Sequence, residues 1–234
     1  MRKKVSFILK ICIVIFSFLG IILAMLFAKR DGYSHWSKRL LYFTQLSNLW
    51  IGLASLTVAL YTILQKQGKH FEGLYLTRFI FTVSITITGV VYCTLLAPFA
   101  EDDFPAWTFG NIVTHVVVPI LAITDFIIDD RQFSLSKTKT LLSTVPPLAY
   151  FIIVSVLCVN NFDFGRGDPY PYFFLNFYSQ AKIFGFVPGD FTSGNYPQLG
   201  AFYWIVLFLL MVLGFAYLLR YIHLKLHKPK SQVG

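Results

Sequence analysis

Six apolar blocks of about twenty residues each divide this chain. About twenty apolar residues in a helix cross the hydrocarbon core of a bilayer. A segment in lipid must also satisfy its own backbone polar groups, which a helix does. The blocks cover residues 5–28, 40–64, 74–96, 110–128, 140–159 and 199–223. Composition agrees: only 13% of the residues are charged and 56% are hydrophobic, against about 25% charged in a soluble domain. The expected fold is therefore all-α, a polytopic bundle of six transmembrane helices forming one domain over residues 1–234. The first block follows Met-Arg-Lys-Lys but is too long for a signal peptide, so an uncleaved first helix is expected.

The net charge of +9 does not point to nucleic acid. The basic residues lie between apolar blocks and at the two ends, as in the cytoplasmic loops of membrane proteins. With the N-terminus inside, fourteen Lys and Arg residues fall inside and six outside. Lys10 is counted here among the inner charges. Both termini are expected in the cytoplasm and the protein in the cell membrane. The inner loops are then 65–73 and 129–139, and an acidic loop at 101–103 faces out. Cys12, Cys93 and Cys158 all sit in apolar blocks, with no disulfide framework and no metal spacing. No metal and no cofactor are expected, and the oligomeric state is not legible.

Residues 160–198 form a long loop before the last block, rich in Gly and Pro yet crowded with aromatics. A loop of this length is often functional. Residues 172–186 are expected to form a helix at the membrane interface, where Tyr and Phe are favoured. The loop either covers a site or anchors the bundle as an aromatic belt.

Polar groups inside the blocks carry the functional signal. Thr44, Gln45, Ser47 and Asn48 crowd the mouth of the second block, and His115 lies in the fourth, one turn after Asn111 and one before Pro119. Both blocks run from outside to inside. At about 1.5 Å per residue, Thr44 and His115 lie at similar depths near the outer face. A threonine hydroxyl becomes a nucleophile when a base takes its proton, and histidine is the usual base near neutral pH. Asn48 or Asn111 would orient the imidazole or donate to a developing oxyanion. The alternative is structural, since Ser, Thr and Asn in spans also bond to their own backbone or to neighbouring helices. Arg78 and Asp125, near the inner ends of the third and fourth blocks, are expected to form an ion pair. Arg78, Thr82 and Thr86 share a helical face, which would line a polar path or lock helices.

Three segments carry a family resemblance: Tyr-Phe-Thr-Gln-Leu-Ser-Asn at the second block, Thr-His-Val-Val-Val-Pro-Ile in the fourth, and Tyr-Pro-Tyr-Phe-Phe-Leu-Asn in the long loop. They resemble the androgen-induced and androgen-dependent TFPI-regulating membrane proteins and their bacterial relatives, over about residues 5–225. Eukaryotic members are six-span threonine hydrolases that cleave fatty acid esters of hydroxy fatty acids. The resemblance implies Thr44 as nucleophile and His115 as catalytic histidine, with a lipid substrate drawn from the bilayer. The Ser-Asn pair at 47–48 is similar to the bacterial pattern. Ser47, Asn48, Asn111 and Tyr172 are the candidate substrate-binding or orienting residues. Two other classes compete: a transporter or channel-like protein with a path lined by Arg78, His115 and Asp125, and a non-catalytic structural membrane protein.

Overall fold

The computed structural model describes residues 2–64, 71–98, 106–129, 133, 135–189 and 198–226. Lys66, Lys69, Arg131, Lys228, Lys230 and the acidic stretch 101–103, all used in the charge argument, lie outside them. The described residues form a bundle of six helices long and apolar enough to cross a membrane: α1 (Arg2–Leu26), α2 (Phe43–Leu64), α3 (Glu72–Leu96), α4 (Phe109–Ile128), α5 (Lys137–Val159) and α6 (Ala201–Leu226). The protein is an all-α, multi-pass membrane protein.

Side-chain spacing decides which face of each helix is buried. On α1, Ser6, Lys10, Ile13, Ser17, Gly20 and Ala24 are buried, a spacing of three and four that follows one helical face. Ile8, Ile15 and Ile22 lie opposite and are exposed, as suits a surface meeting lipid rather than water. Small residues let α1 and α2 approach closely: a Cβ added at Gly52 would lie 3.1 Å from the Ser17 Cβ. Such contacts replace the hydrophobic drive that is missing between helices in lipid.

Two polar layers sit at opposite ends of the bundle, with a mainly apolar layer between them. That layer includes Ile13, Ile51, Ile85, Val118 and Ala122, each essentially inaccessible, beside the buried Ser17 and Ser55. A second apolar core joins α3, α5 and α6 through Phe79, Val83, Phe151, Val154, Phe208 and Val212.

Three local expectations need correction. The second helix begins at Phe43 rather than residue 40, because Trp36–Leu41 is a 3-10 turn and Tyr42 is extended (φ −83°, ψ 139°). Residues 172–186 are not an interfacial helix. Phe173–Leu175 makes a single 3-10 turn, and the Asn176 side chain then accepts from the Tyr178 amide at 2.9 Å, diverting the chain as Asx turns do. Lys182 has positive φ (50°). Phe186–Val187 pairs antiparallel with Gln198–Leu199. Phe164, Phe174 and Leu175 are buried in the α3–α5–α6 core, so the loop's aromatics fill the bundle. Third, Lys10 is no flanking charge: its side chain is 1% exposed and faces the bundle interior.

The loop is also tied down by its own polar groups. The Gly165 and Gly167 amides donate to Asp163 at 2.6 and 3.2 Å, and both glycines need positive φ (110° and 87°). These amides, Gly165 foremost, hold the exposed Asp163 carboxyl below its ordinary value. The Lys38 ammonium donates to the Asp163 carbonyl at 2.6 Å.

Candidate functional site

Pro119 explains the local form of α4. Proline has no N–H, so it cannot donate to the carbonyl four residues back, at His115. The ladder widens there: Val113–Val117 is a π turn closed by the Val118 amide on the Val113 carbonyl. A matching π turn, Tyr92–Leu96, ends α3, with the Ala97 amide on the Tyr92 carbonyl at 2.8 Å. Single π turns inside α-helices concentrate at functional sites. Here the two bulges bring Tyr92 flat against His115, with ring centroids 3.6 Å apart and planes at 18°. The Tyr92 hydroxyl donates to the Ala106 carbonyl.

His115 Nε2 lies 3.1 Å from Thr44 Oγ1. Its Nδ1 is 2.9 Å from the Asn111 carbonyl, which can only accept. The proton therefore belongs on Nδ1, and the Nε2 lone pair faces the Thr44 hydroxyl. This tautomer follows from the hydrogen-bond partners. Thr114 Oγ1 is 3.0 Å from Nδ1 and donates to the Gly110 carbonyl at 3.0 Å. Thr44 and His115 are 8% and 7% exposed, so little water competes for this hydrogen bond. A hydroxyl, an imidazole and a carbonyl that orients the imidazole are thus in series.

The other expected residues separate into roles. Ser47 Oγ is 2.7 Å from Thr88 Oγ1 and donates to the Thr44 carbonyl at 3.1 Å, so it ties α2 to α3 behind Thr44. The Asn48 amide donates to the Thr44 and Thr114 carbonyls at 2.8 and 3.2 Å. It clamps α2 to α4 and does not reach the imidazole. Asn111 acts on His115 through its backbone, while its side chain donates to the Ala106 carbonyl at 3.0 Å. Tyr172 lies beside Thr44: burial pushes its hydroxyl up to about 12, and the Thr44 hydroxyl and the Thr44 and Phe43 amides pull the other way.

A narrow, partly open cleft adjoins Thr44. Its walls are apolar, from Ile87, Val91, Phe151, Phe208 and Val212, and Tyr150 and Tyr172 also line it.

The second polar layer is at the other end of the bundle. Arg78 pairs with Asp125 and, at 2.9 Å, with Asp129. Lys10 bridges the same two carboxylates at 3.1 and 2.9 Å, and Ser6 donates to Asp125 at 2.6 Å. Two cations and two anions balance, as burial requires. Thr82 and Thr86 donate to the carbonyls of Arg78 and Thr82 at 2.9 and 2.7 Å, so these hydroxyls serve their own helix. Sequence reasoning missed Lys10, Ser6 and Asp129 here, and Tyr92, Thr88 and Tyr150 at the Thr44 end. The seven-residue step from Ser6 through Ile13 to Gly20, with Lys10 on the same face, was the available signal for Lys10. Nothing in the sequence marks Tyr92 or Tyr150 among 13 tyrosines.

Compared with known protein families, with curated proteins and with solved structures, the chain finds no match in any of the three.

Proposed function

We propose that this protein is a membrane-embedded hydrolase of lipid esters, with Thr44 as nucleophile and His115 as general base. One observation carries the reading: the 3.1 Å contact from Thr44 Oγ1 to His115 Nε2, with Nδ1 oriented by the Asn111 carbonyl. His115 takes the Thr44 proton as Oγ1 attacks the ester carbonyl. The imidazolium then gives that proton to the departing alcohol, and water removes the acyl group from Thr44 by the same route. The apolar space beside Thr44 suits an acyl chain, and the resemblance favours fatty acid esters of hydroxy fatty acids. The charge pattern favours a cell-membrane protein with both termini cytoplasmic and the Thr44 end outward.

The transport reading has less support. His115 and Asp125 are ten residues apart on α4, about 15 Å along the axis. The mainly apolar layer of Ile13, Ile51 and Ile85 lies between the two polar layers, and the Arg78–Asp125 group is already neutralised by Lys10 and Asp129.

The purified protein in detergent should hydrolyse a long-chain p-nitrophenyl ester. Removing either partner should cost at least the 10²–10⁴ in rate, order of magnitude, that a general base supplies. Thr44→Ala and His115→Ala should each abolish nearly all turnover, and the double variant should be little worse, since the two act as a unit. Thr44→Ser should keep part of it. Wild-type turnover in folded Thr44→Ala would overturn the reading.

A further inference from the structure

Attack on an ester moves the carbonyl π electron pair onto oxygen, and that oxyanion needs preorganised donors in a site away from water. The beginning of α2 supplies some. The first amides of a helix have no intrahelical acceptor, and the N-terminal end carries the positive end of the helix dipole. The Gln45 and Leu46 amides already donate to the Tyr42 carbonyl at 3.0 and 3.2 Å. The Phe43 and Thr44 amides precede them and face the Tyr172 hydroxyl at the edge of the same cavity, where an entering carbonyl oxygen would take them over.

A second, independent feature faces this end. Tyr150 comes from α5, and its ring lies 5.1 Å from that of Phe43. It is 5% exposed, and among the described residues its hydroxyl makes no hydrogen bond. The Phe43 amide and the Tyr172 hydroxyl are its polar neighbours, near it but out of hydrogen-bonding geometry. A buried hydroxyl without a partner is destabilising, and phenylalanine would fill the same space without that cost. Tyr150, Tyr172 and Thr44 line the same cavity. Tyr150 therefore borders the space that an ester carbonyl would enter when its carbon meets Thr44 Oγ1, with its hydroxyl near the Phe43 amide.

We propose that Tyr150 is a catalytic donor, whose hydroxyl joins the Phe43 and Thr44 amides in binding the ester carbonyl oxygen and the alkoxide that forms there. The assignment rests on the hydrolase reading above. As the Thr44 oxygen–carbon bond forms, the Thr44 proton passes to His115 Nε2 and the carbonyl electron pair becomes the alkoxide. The alkoxide accepts from the Tyr150 hydroxyl and the two amides. It then collapses to the acyl-threonine, expelling the alcohol oxygen, which takes the proton from His115. Tyr172, held at about 12 by burial, stays protonated at neutral pH and is a neutral neighbour of Tyr150.

The test is Tyr150→Phe, assayed beside Thr44→Ala with the same p-nitrophenyl ester. Removing one oxyanion donor typically lowers kcat by about 10²–10³, with KM little changed because the bond strengthens in the transition state. A long-chain trifluoromethyl ketone, which forms a tetrahedral adduct, should weaken as an inhibitor by the same factor as kcat/KM. The melting temperature in detergent should stay level or rise, since an unpaired buried hydroxyl has been removed. Loss of turnover in Thr44→Ala with wild-type kcat in Tyr150→Phe would overturn the donor and leave the hydrolase reading intact. Turnover surviving in Thr44→Ala would remove both. A Tyr150→Phe protein that loses activity together with melting temperature would make Tyr150 a packing residue and overturn the assignment.

Discussion

At the scale of single residues, the site depends on how closely α3 and α4 approach. A Cβ added at Gly89 would lie 2.8 Å from the His115 carbonyl oxygen and 3.0 Å from Pro119 Cγ. The first neighbour is backbone and the second a ring fixed to backbone, so neither yields without moving the π turn that carries His115. A displacement of about 1 Å at a catalytic group costs on the order of 10² in rate. Gly89→Ala should therefore lower kcat by up to about a hundredfold while the protein still elutes as a folded species in gel filtration. Wild-type kcat in a folded Gly89→Ala protein would contradict the close packing behind His115. The adjacency of Thr44 and His115 was legible because two helices running the same way put residues of like offset in one layer. The π turns were not, although Pro119, four residues after His115, was the chemical cause in plain sight. Asn48 was legible as buried and polar, but its partners depend on the rotation of α2 about its axis, which helical spacing leaves open.

At the scale of elements, the Lys10–Arg78–Asp125–Asp129 group fastens α1, α3 and the far end of α4. Breaking one member leaves a buried charge uncompensated, which costs about 3–5 kcal/mol in comparable buried pairs. Asp125→Asn should lower the melting temperature in detergent. Lys10→Met combined with Asp129→Asn removes one charge of each sign and should cost less than the two single changes summed. Full additivity would mean that the four charges do not act together. The sequence offered Arg78 and Asp125 because each stands inside an apolar block. It hid Lys10, because a lysine two turns from the chain's start is indistinguishable from a flanking charge until its partners on another helix are known. The long loop was misjudged for a related reason. Its aromatics are the composition of an interfacial helix, yet Asn176 turns the chain and the bundle core takes up Phe164, Phe174 and Leu175, a tertiary effect that overrides local preference.

At the scale of the whole molecule, the six-helix bundle was the most legible property, since block length alone specifies a spanning helix. Block ends were less so, because capping and turns decide them, as at Tyr42. The orientation in the membrane rests on charge asymmetry and is open to direct test. A cysteine placed at Ser34, at the Thr44 end, should react with an impermeant maleimide on intact cells, and one at Ser136 should react only after permeabilisation. The reverse pattern would put the Thr44 end in the cytoplasm. Across both ends the molecule divides its polar side chains into a closed, neutral group that fastens helices and an open pair beside an apolar cavity. That division makes Thr44 the central claim, and a lipid-tailed fluorophosphonate tests it most directly. The Thr44 oxygen should displace fluoride from phosphorus, and mass spectrometry of the digested protein should find the phosphonate on Thr44. His115→Ala should slow that labelling by about 10²–10⁴. Ester hydrolysis by the wild-type protein with no adduct at Thr44, or with the adduct on another residue, would contradict the account.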